Sequence, residues 1–501
     1  MNRRGFHLVL GALLLAWFFF TRVHGLAGKS IWVDEAITWH YAQLGGWDLV
    51  KEVQRFDSHP PLFYLLSWCC SFLFPDEAGL RCPSLLAGLL LPWVVWKLAR
   101  ETEGQNCARW SLLLCATSPY LTYFSQEARN YCLAALWAAL AAWILVQLRK
   151  SESTIKWCVY GLLLLCCMYT YLYLALFLSV LSLWWIWNRF QERKGPGWGW
   201  CLCHGGAAFL FLPWLPTVLQ RAGLQNEVAG QMNIGLTGWD LAKTINHFSL
   251  GYHDYLSEAF LSLPGQQTAV LLAVLLGGLA VWGISRSKER SLWLFLLLGV
   301  GGLFCLLPVR LHYFDAKHLF FLLPFFLIAQ AKGVERMKRF ALKGTCLGCL
   351  LLFNLASTLW YHSASFQKAG WKDLALLAAR EGRADDLVVF DPFYIGYALD
   401  FYVDKETVLC NRIGPRTETP CREIISTMVK GQRVWLFTSR SPVTGIHPEI
   451  RTCIEERRTP VADVGIPSET FPFVGFSEAL RMTLFSMRPS KDDQEEVLPA
   501  S

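Results

Sequence analysis

Charge is scarce in this 501-residue chain. Asp, Glu, Lys and Arg together make up 17% of it, against about a quarter in an ordinary soluble domain. With 54% hydrophobic residues and a mean hydropathy of +0.32, a soluble fold would leave apolar surface in water, so a soluble cytosolic enzyme is excluded. Disordered, collagenous and disulfide-stapled classes are excluded by the same figures. Paired CxxC and Cys/His spacings of zinc sites are also missing, although there are 17 cysteines; Cys346 and Cys349 lie in an apolar helix without a second pair. Most cysteines (Cys69, Cys70, Cys115, Cys166, Cys167, Cys201, Cys203) sit within apolar runs, where the thiol is a small hydrophobe. Only Cys410, Cys421 and Cys453 lie in the polar tail, and the odd count leaves a 410–421 disulfide open. None of the nine Asn residues begins an Asn-x-Ser/Thr sequon, which points to a bacterial rather than an endoplasmic-reticulum protein.

What the chain does have is apolar blocks: Leu8–Phe20, Leu112–Ala116, Leu133–Val146, Val270–Trp282 and Leu292–Leu307. Blocks of this kind, in place of dispersed apolar positions, define a polytopic membrane protein. Residues 361–501 carry 17 basic and 20 acidic residues, whereas 1–360 carry 29 and 19. The positive excess therefore belongs to the membrane part and reports topology, not nucleic acid. Met1-Asn-Arg-Arg before an apolar run has the form of an export signal, but a chain with many later apolar segments needs none, and 6–26 reads as the first span.

Basic clusters at Arg3-Arg4, Lys97/Arg100/Arg109, Arg149-Lys150/Lys156, Arg189/Arg193/Lys194, Arg286/Lys288/Arg290 and Lys332/Arg336/Lys338/Arg339 belong in the cytoplasm by the positive-inside rule. Spans near 6–26, 80–98, 109–125, 131–148, 155–171, 172–189, 199–218, 266–285, 291–308, 318–332 and 343–360 satisfy that parity, about eleven in all, each near the ~20 residues a crossing needs. Pro61–Phe74 is too short to cross and reads as a juxtamembrane helix on the outer surface. The domains expected are a membrane domain over 1–360 with outer loops 27–79 and 219–265, an outer α/β domain over 361–488, and a disordered acidic tail over 489–501. Leu387–Phe390 and Val434–Phe437 read as its buried strands, with helices at Asp373–Arg380 and Glu423–Val429.

With so few charges in the spans, polar residues crowded at their outer ends are the informative ones. The first outer loop opens Ser30-Ile-Trp-Val-Asp34-Glu35. Its carboxylates lie between Trp32 and Trp39, partly desolvated as a general base requires; they read equally as a helix N-cap with its first-turn acid. The loop closes Asp57-Ser-His59-Pro60-Pro61-Leu62, whose prolines fix the histidine near the outer surface or simply start a helix. The short turn Ser125-Gln-Glu127-Ala-Arg129-Asn-Tyr131 forces Glu127 and Arg129 to the membrane edge, where charges are expensive and functional unless they merely pair. Before the late span, Arg310, His312, Lys317 and His318 set cations on the outer side, against the topological trend, which suggests a bound anion; an Asp315–Lys317 ion pair is the alternative. Asp240, His247, His253, Asp254 and Glu258 in the second long loop show no metal-ligand spacing. A divalent metal is compatible with the chemistry, but no spacing implies one, and no cofactor is called for.

In order, these motifs resemble the GT-C superfamily of polyprenol-dependent membrane glycosyltransferases. The resemblance rests on Asp34-Glu35, on His59-Pro60-Pro61-Leu62 with Tyr64, on Arg81-Cys-Pro83-Ser84-Leu-Leu-Ala-Gly88, and on Ser125-Gln-Glu127-Ala-Arg129-Asn-Tyr131. It covers about residues 25–135, with a weaker echo at 308–335. It is strongest towards family-39-like bacterial proteins, grouped with protein O-mannosyltransferases, lipid A aminoarabinose transferases and Rgt-type galacturonosyltransferases. What the resemblance implies is a GT-C fold that moves a sugar from a polyprenyl-phosphate donor to a lipid, glycan or protein acceptor at the outer face of the inner membrane. Asp34 is then the base and Glu127 and Arg129 organise the donor; His59, Tyr131, Lys317 and His318 complete the expected donor site. Family members often carry Arg-Tyr where this chain has Lys317-His318.

The residues lead to the same chemistry separately. A polyprenyl phosphate is an anion on a lipid tail, so its enzyme needs a membrane groove, outer cations to stabilise the departing phosphate, and a base opposite it, which predicts inversion. The main rival is a lipid or solute transporter or flippase; such carriers place ionisable groups at mid-span and often show internal repeats, and neither is found. A non-catalytic scaffold would need no carboxylate and cation clusters.

Overall fold

The computed structural model describes residues 3–74, 76–221, 238–251, 263–302, 316–363, 366, 368, 370–391, 393–403, 411–413, 420–429, 432–439, 448–466 and 480–487. Two compact units divide the chain, one comprising Met1–Gly28 and Tyr41–Phe366, the other Lys29–His40 and Gln367–Ser501. The expected boundary near 360 thus falls at 366, and residues 29–40 group with the C-terminal unit.

The first unit is helical: α1 (Arg3–Val23), the last four residues of α2 (Val33–Leu44), α3 (Gly46–Phe56), α4 (Leu62–Ser71), α5 (Glu77–Thr102), α6 (Gln105–Thr117), α7 (Pro119–Ser125), α8 (Tyr131–Lys150), α9 (Thr154–Thr170) and α10 (Tyr173–Gln191). There follow α11 (Trp198–Arg221), α12 (Gly238–Leu250), α13 (Leu263–Ile284), α14 (Arg290–Gly302), α15 (Ala316–Arg336) and α16 (Phe340–Tyr361). Among the described residues six helices are long and apolar enough to cross a membrane: α5, α8, α11, α13 over Gln267–Ile284, α15 and α16. Other expected spans fall on shorter apolar helices, including Gly11–Val23, α9 and α14. The chain is a multi-pass membrane protein.

Burial sorts these helices. The hydrophobic windows of α8 and α15 are 72% and 83% buried, whereas those of α11 and α16 are 17% buried, so α8 and α15 are central and the others turn apolar side chains outward. In α8 the buried face is Ala134, Ala135, Ala138, Ala139, Ala141 and Ala142, and small residues allow the close approach that holds helices together without a hydrophobic drive. Gly283 on α13 and Gly333 on α15 do the same, since a Cβ on either would strike the opposite backbone at Ala329 or Leu279. At one end of the bundle, buried Glu103 ties three elements: it accepts from Trp293 Nε1 at 2.7 Å and from Ser287 Oγ, and pairs with Lys332 at 3.4 Å.

Two expected spans are broken. The segment 109–125 divides at Ser118-Pro119: Pro119 has no N–H to continue α6, and Ser118 Oγ accepts from Leu121 N at 3.3 Å to cap α7. The late span begins as a 3₁₀ helix, Ala316–Leu322, before becoming α-helical at Leu323 ahead of Pro324. Pro61–Phe74, expected as a juxtamembrane helix, is the ten-residue α4.

In the second unit α17 (Trp371–Glu381), α18 (Gly396–Tyr402), α19 (Pro420–Thr427) and α20 (Pro448–Glu455) surround β1 (Leu387–Asp391), β2 (Asn411–Ile413), β3 (Val434–Ser439), β4 (Arg458–Ile466) and β5 (Leu480–Met487). Sheet order is β2-β1-β3-β5-β4, with β1 parallel to β2 and β3, and β5 antiparallel to β3 and β4. Strand alternation sends Leu387, Val389, Val434, Leu436 and Phe485 to one face, where Ile424 of α19 and Ile450 and Ile454 of α20 close the core. Asp386 anchors the base of β1, accepting from Arg433 Nε at 2.9 Å, Arg433 Nη2 at 2.6 Å and Trp435 Nε1 at 2.7 Å. Of the sequence expectations, Cys410, Arg310, His312, Asp315, His253, Asp254, Glu258 and the 489–501 tail lie outside the described residues.

Candidate active site

Three connections between helices of the first unit and the first turn of α15 meet in a polar cluster. The α3–α4 loop supplies Asp57 and His59. Asp57 accepts from His59 N at 2.8 Å and lies 2.9 Å from its Nδ1, and its other oxygen accepts from Tyr64 Oη at 2.9 Å. Burial alone would raise the Asp57 pKa; the His59 hydrogen bond and the nearby charges of His59 and Arg129 outweigh it and hold the carboxyl well below the usual carboxylate range. An ionised Asp57 can only accept, so His59 Nδ1 donates and leaves Nε2 for other work. The α7–α8 turn brings Arg129, whose Nη1 donates to Tyr64 Oη at 3.3 Å. Burial keeps the Tyr64 hydroxyl protonated, its pKa raised well above that of a free phenol, so Tyr64 donates to Asp57 while accepting from Arg129.

The α9–α10 turn adds Tyr171, whose ring stacks on His59 at 5.6 Å and 6°. Tyr171 Oη is 3.0 Å from His318 Nδ1 in the first turn of α15. Beside it, Lys317 Nζ stands 6.0 Å over the ring of Tyr131, the first residue of α8, and Tyr131 meets Tyr171 edge-on at 5.9 Å. Lys317 and Arg129 are each 6% exposed, and two nearly buried cations so close together favour an anion.

Two residues of the Arg81–Gly88 segment, Ser84 and Gly88, position the Arg129 turn, and a third, Arg81, holds the chain after α1. Ser84 Oγ donates to Arg129 O at 2.9 Å, and Arg81 Nη1 to Leu26 O at 2.6 Å. Gly88 lets α7 pack against α5, because a Cβ there would run into Ser125. From the same turn Gln126 Nε2 donates to Arg22 O at 2.9 Å and His24 O at 2.8 Å, and its Oε1 accepts from Tyr361 Oη at 2.9 Å. Glu127 is buried within this turn. An apolar cavity of about 390 Å³ opens beside the α3–α4 and α9–α10 connections, lined by Trp47, Pro61, Leu65, Leu165, Tyr169 and Trp214; Pro61 and Tyr169 are each two residues from a cluster member.

Asp34 and Glu35 belong to the other unit. Glu35 is fully buried, 3.4 Å from Lys368 Nζ and accepting from Trp32 N at 3.4 Å. Asp34 is half-buried in the first turn of α2. The loop before it is held by Ile31 N donating to Tyr402 Oη at 2.8 Å and Lys372 N donating to Ser30 Oγ at 3.2 Å. The two carboxylates expected as catalytic are therefore unlike each other: one is locked in an ion pair, the other keeps solvent contact.

Of the expected donor-site residues, His59, Arg129, Tyr131, Lys317 and His318 come together, and Glu127 shares the Arg129 turn. Sequence reasoning missed Tyr171 and did not place Asp57 in the donor site. The available signal was Tyr171-Leu-Tyr173 at an outer turn of almost no length, where an aromatic pair must sit beside the other outer ends. Among the described residues no three His, Cys, Asp or Glu side chains converge on a common point.

Residues 58–216 match the sequence model of the dolichyl-phosphate-mannose-protein mannosyltransferase family. In fold, the chain is similar to apo ArnT from Cupriavidus metallidurans (TM-score 0.56, 12% identity, 96% of this chain and 98% of that one). It is also similar to the oligosaccharyltransferase AglB from Archaeoglobus fulgidus, solved with an inhibitory peptide and a dolichol-phosphate (TM-score 0.50, 11% identity, 87% and 70%). The Archaeoglobus fulgidus oligosaccharyltransferase tethered to an acceptor peptide matches likewise (TM-score 0.52, 11% identity, 87% and 69%). At these identities the likeness is one of fold. No curated protein sequence matches the chain. The chain shares its fold with these structures, and the family match extends over residues 58–216, about a third of its length; both are consistent with the GT-C resemblance read from the sequence.

Proposed function

We propose that the protein transfers a hexosyl or pentosyl unit from a polyprenyl-phosphate donor to a lipid, glycan or protein acceptor at the outer face of a bacterial inner membrane, with inversion. The observation that carries this reading is the cluster of Arg129, Lys317, His59 and His318 with the hydroxyls of Tyr64 and Tyr171, beside an apolar cavity. Cations and phenols suit a phosphate head, and the cavity suits the isoprenoid carbons next to it. The dolichol-phosphate in the archaeal relative supports a lipid-linked donor. On this reading the N-terminus is cytoplasmic, about eleven spans cross the bilayer, and the outer ends of α5, α7–α10 and α15 carry the donor site.

The steps follow from the residues. Arg129 and Lys317 take up the charge that develops on the phosphate as the glycosidic C–O bond breaks, which lowers the barrier only to the extent that these contacts strengthen there. Asp57 is ionised and occupied by His59 and Tyr64, so it orients them and is too weakly basic to take the acceptor proton. Glu35 is engaged with Lys368. Asp34 is the carboxylate we assign as general base: it removes the acceptor hydroxyl's proton as that oxygen attacks the anomeric carbon opposite the leaving phosphate.

Asp34→Asn tests the assignment. Asn caps a helix about as well as Asp, so the protein stays folded, and loss of a positioned base lowers transfer by roughly 10²–10⁴ with donor binding nearly intact. A stable Asp34→Asn protein with near-normal transfer makes Asp34 a cap and removes it from the mechanism. Arg129→Ala is expected to raise the donor KM and lower kcat; unchanged kinetics on the polyprenyl-linked donor would take Arg129 out of the site.

A further inference from the structure

The C-terminal unit brings two cysteines together across its helical layer. Cys421 opens α19 and Cys453 lies near the end of α20, the two helices that set Ile424, Ile450 and Ile454 on the same face of the sheet. Cys421 Sγ donates to Glu449 O at 3.2 Å, one turn before Cys453, and Cys453 Sγ donates to Cys421 O at 3.8 Å. Each thiol is therefore aimed at the helix that carries the other. The residues are 32 positions apart in sequence, and the segment between them contains β3, the strand at the middle of the sheet. Cys453 is 5% exposed and Cys421 is half-buried, so a reagent reaches the pair from the Cys421 side.

We infer that Cys421 and Cys453 form a structural disulfide in the mature protein, a staple between α19 and α20. The inference rests on the outer placement of this unit, because disulfides persist in oxidising compartments and not in the cytosol. The bond requires the two Cβ atoms to stand within about 3.5–4.5 Å of each other, a spacing set by how α19 packs on α20; side-chain rotation then turns the sulfurs together. Burial and the neighbouring Cys421 thiol push the Cys453 pKa up to about 11, so few thiolates form at neutral pH and the reaction calls for an exported dithiol–disulfide oxidoreductase as oxidant. One thiolate attacks the oxidant's disulfide to give a mixed disulfide; the second displaces the oxidant's sulfur. The protein loses two protons and two electrons and the oxidant leaves as a dithiol. The sequence alone left a 410–421 pair open, and the packing of α19 on α20 favours Cys453 as the partner of Cys421.

The test uses the full-length protein in cells. Free thiols are trapped with a maleimide during acid quenching, and the purified protein is digested without reductant and mapped by mass spectrometry. The expected result is a linked peptide pair joining Cys421 to Cys453 as the major form, which separates on reduction. Both cysteines carrying maleimide without prior reduction, or Cys421 linked to Cys410, overturns the inference. A membrane-impermeant maleimide on spheroplasts separates the two ways of failing. Labelling of both thiols from outside leaves the outer placement standing and removes the bond; labelling only after permeabilisation removes both.

Discussion

Asp57→Asn is the substitution whose consequences the structure specifies most closely. The wild-type carboxylate accepts three hydrogen bonds, two from His59 and one from Tyr64, with its side chain 10% exposed. Asparagine offers one acceptor oxygen and one NH₂ in the same shape. Whichever way the amide turns, its NH₂ faces either the His59 donors or the Tyr64 hydroxyl, and at least one bond is lost. Hydrogen bonds to a charged, largely buried group are worth about 1.5–3 kcal/mol each, so the expected loss of stability at pH 7 is about 2–4 kcal/mol. The pH dependence has a definite sign. The folded-state pKa of Asp57 is depressed, so its contribution is fully present above the unfolded value of about 3.9 and disappears as pH falls through the folded value. The difference between wild type and Asp57→Asn therefore stays constant from neutral pH to about 5 and shrinks below 4. In transfer assays the effect is on positioning: with His59 and Tyr64 no longer fixed, kcat/KM falls by about 10- to 100-fold, while removal of a negative charge from the phosphate site leaves donor KM equal or lower. Thermal unfolding in detergent across pH, paired with donor titrations, reads both. An Asp57→Asn protein as stable as wild type at pH 7, with unchanged kcat/KM, would refute the account of the cluster.

Ser84→Ala leaves the buried Arg129 carbonyl without its hydroxyl donor; a cost of about 1–3 kcal/mol is expected, with a weakened donor KM, and a variant matching wild type in both would show that the turn holds itself. Gly88→Ala pushes a methyl into Ser125 Oγ and Cβ, and the double variant with Ser125→Gly, which removes both atoms, is expected to recover part of the lost stability, since touching residues are not additive. Glu35→Gln removes one charge of a fully buried ion pair with Lys368, for which up to about 3–5 kcal/mol is expected; the yield of folded protein falls while transfer per folded molecule holds, and loss of turnover at normal yield would instead make Glu35 part of the chemistry. Reporter fusions after Arg339 and after Trp371 are expected on opposite sides of the membrane, and a cytoplasmic signal from the second would displace the proposed site.

Much of this was legible in the sequence because membrane physics writes in long words. A run of some twenty apolar residues allows little besides a helix, so α5, α8, α13 and α16 lie where the hydropathy puts them. Breaks within spans were harder: Ser118-Pro119 was readable as a cap followed by a helix start, yet its apolar neighbours masked it. In the site, His59, Arg129 and Lys317 stood out as polar or charged groups at the edge of lipid, although a helix start or a local ion pair could also account for each of them. Tyr171 did not, because a tyrosine at a membrane boundary is ordinary and only the fold brings it against His59 and His318. Asp34 and Glu35 are adjacent letters with equal claims in the sequence; what separates them is Lys368, more than 300 residues away, a pairing that no local pattern encodes.

The central claim is consumption of a polyprenyl-phosphate sugar, and the lipid pool of the producing cell tests it most directly. Mass spectrometry of extracted lipids and surface glycans is compared between a strain lacking the protein, the same strain supplied with wild type, and one supplied with Arg129→Ala. The account predicts that one polyprenyl-phosphate sugar accumulates, and one surface glycan is lost, in the deletion and Arg129→Ala strains, and that wild type reverses both. Identical lipid and glycan profiles in all three strains would contradict it.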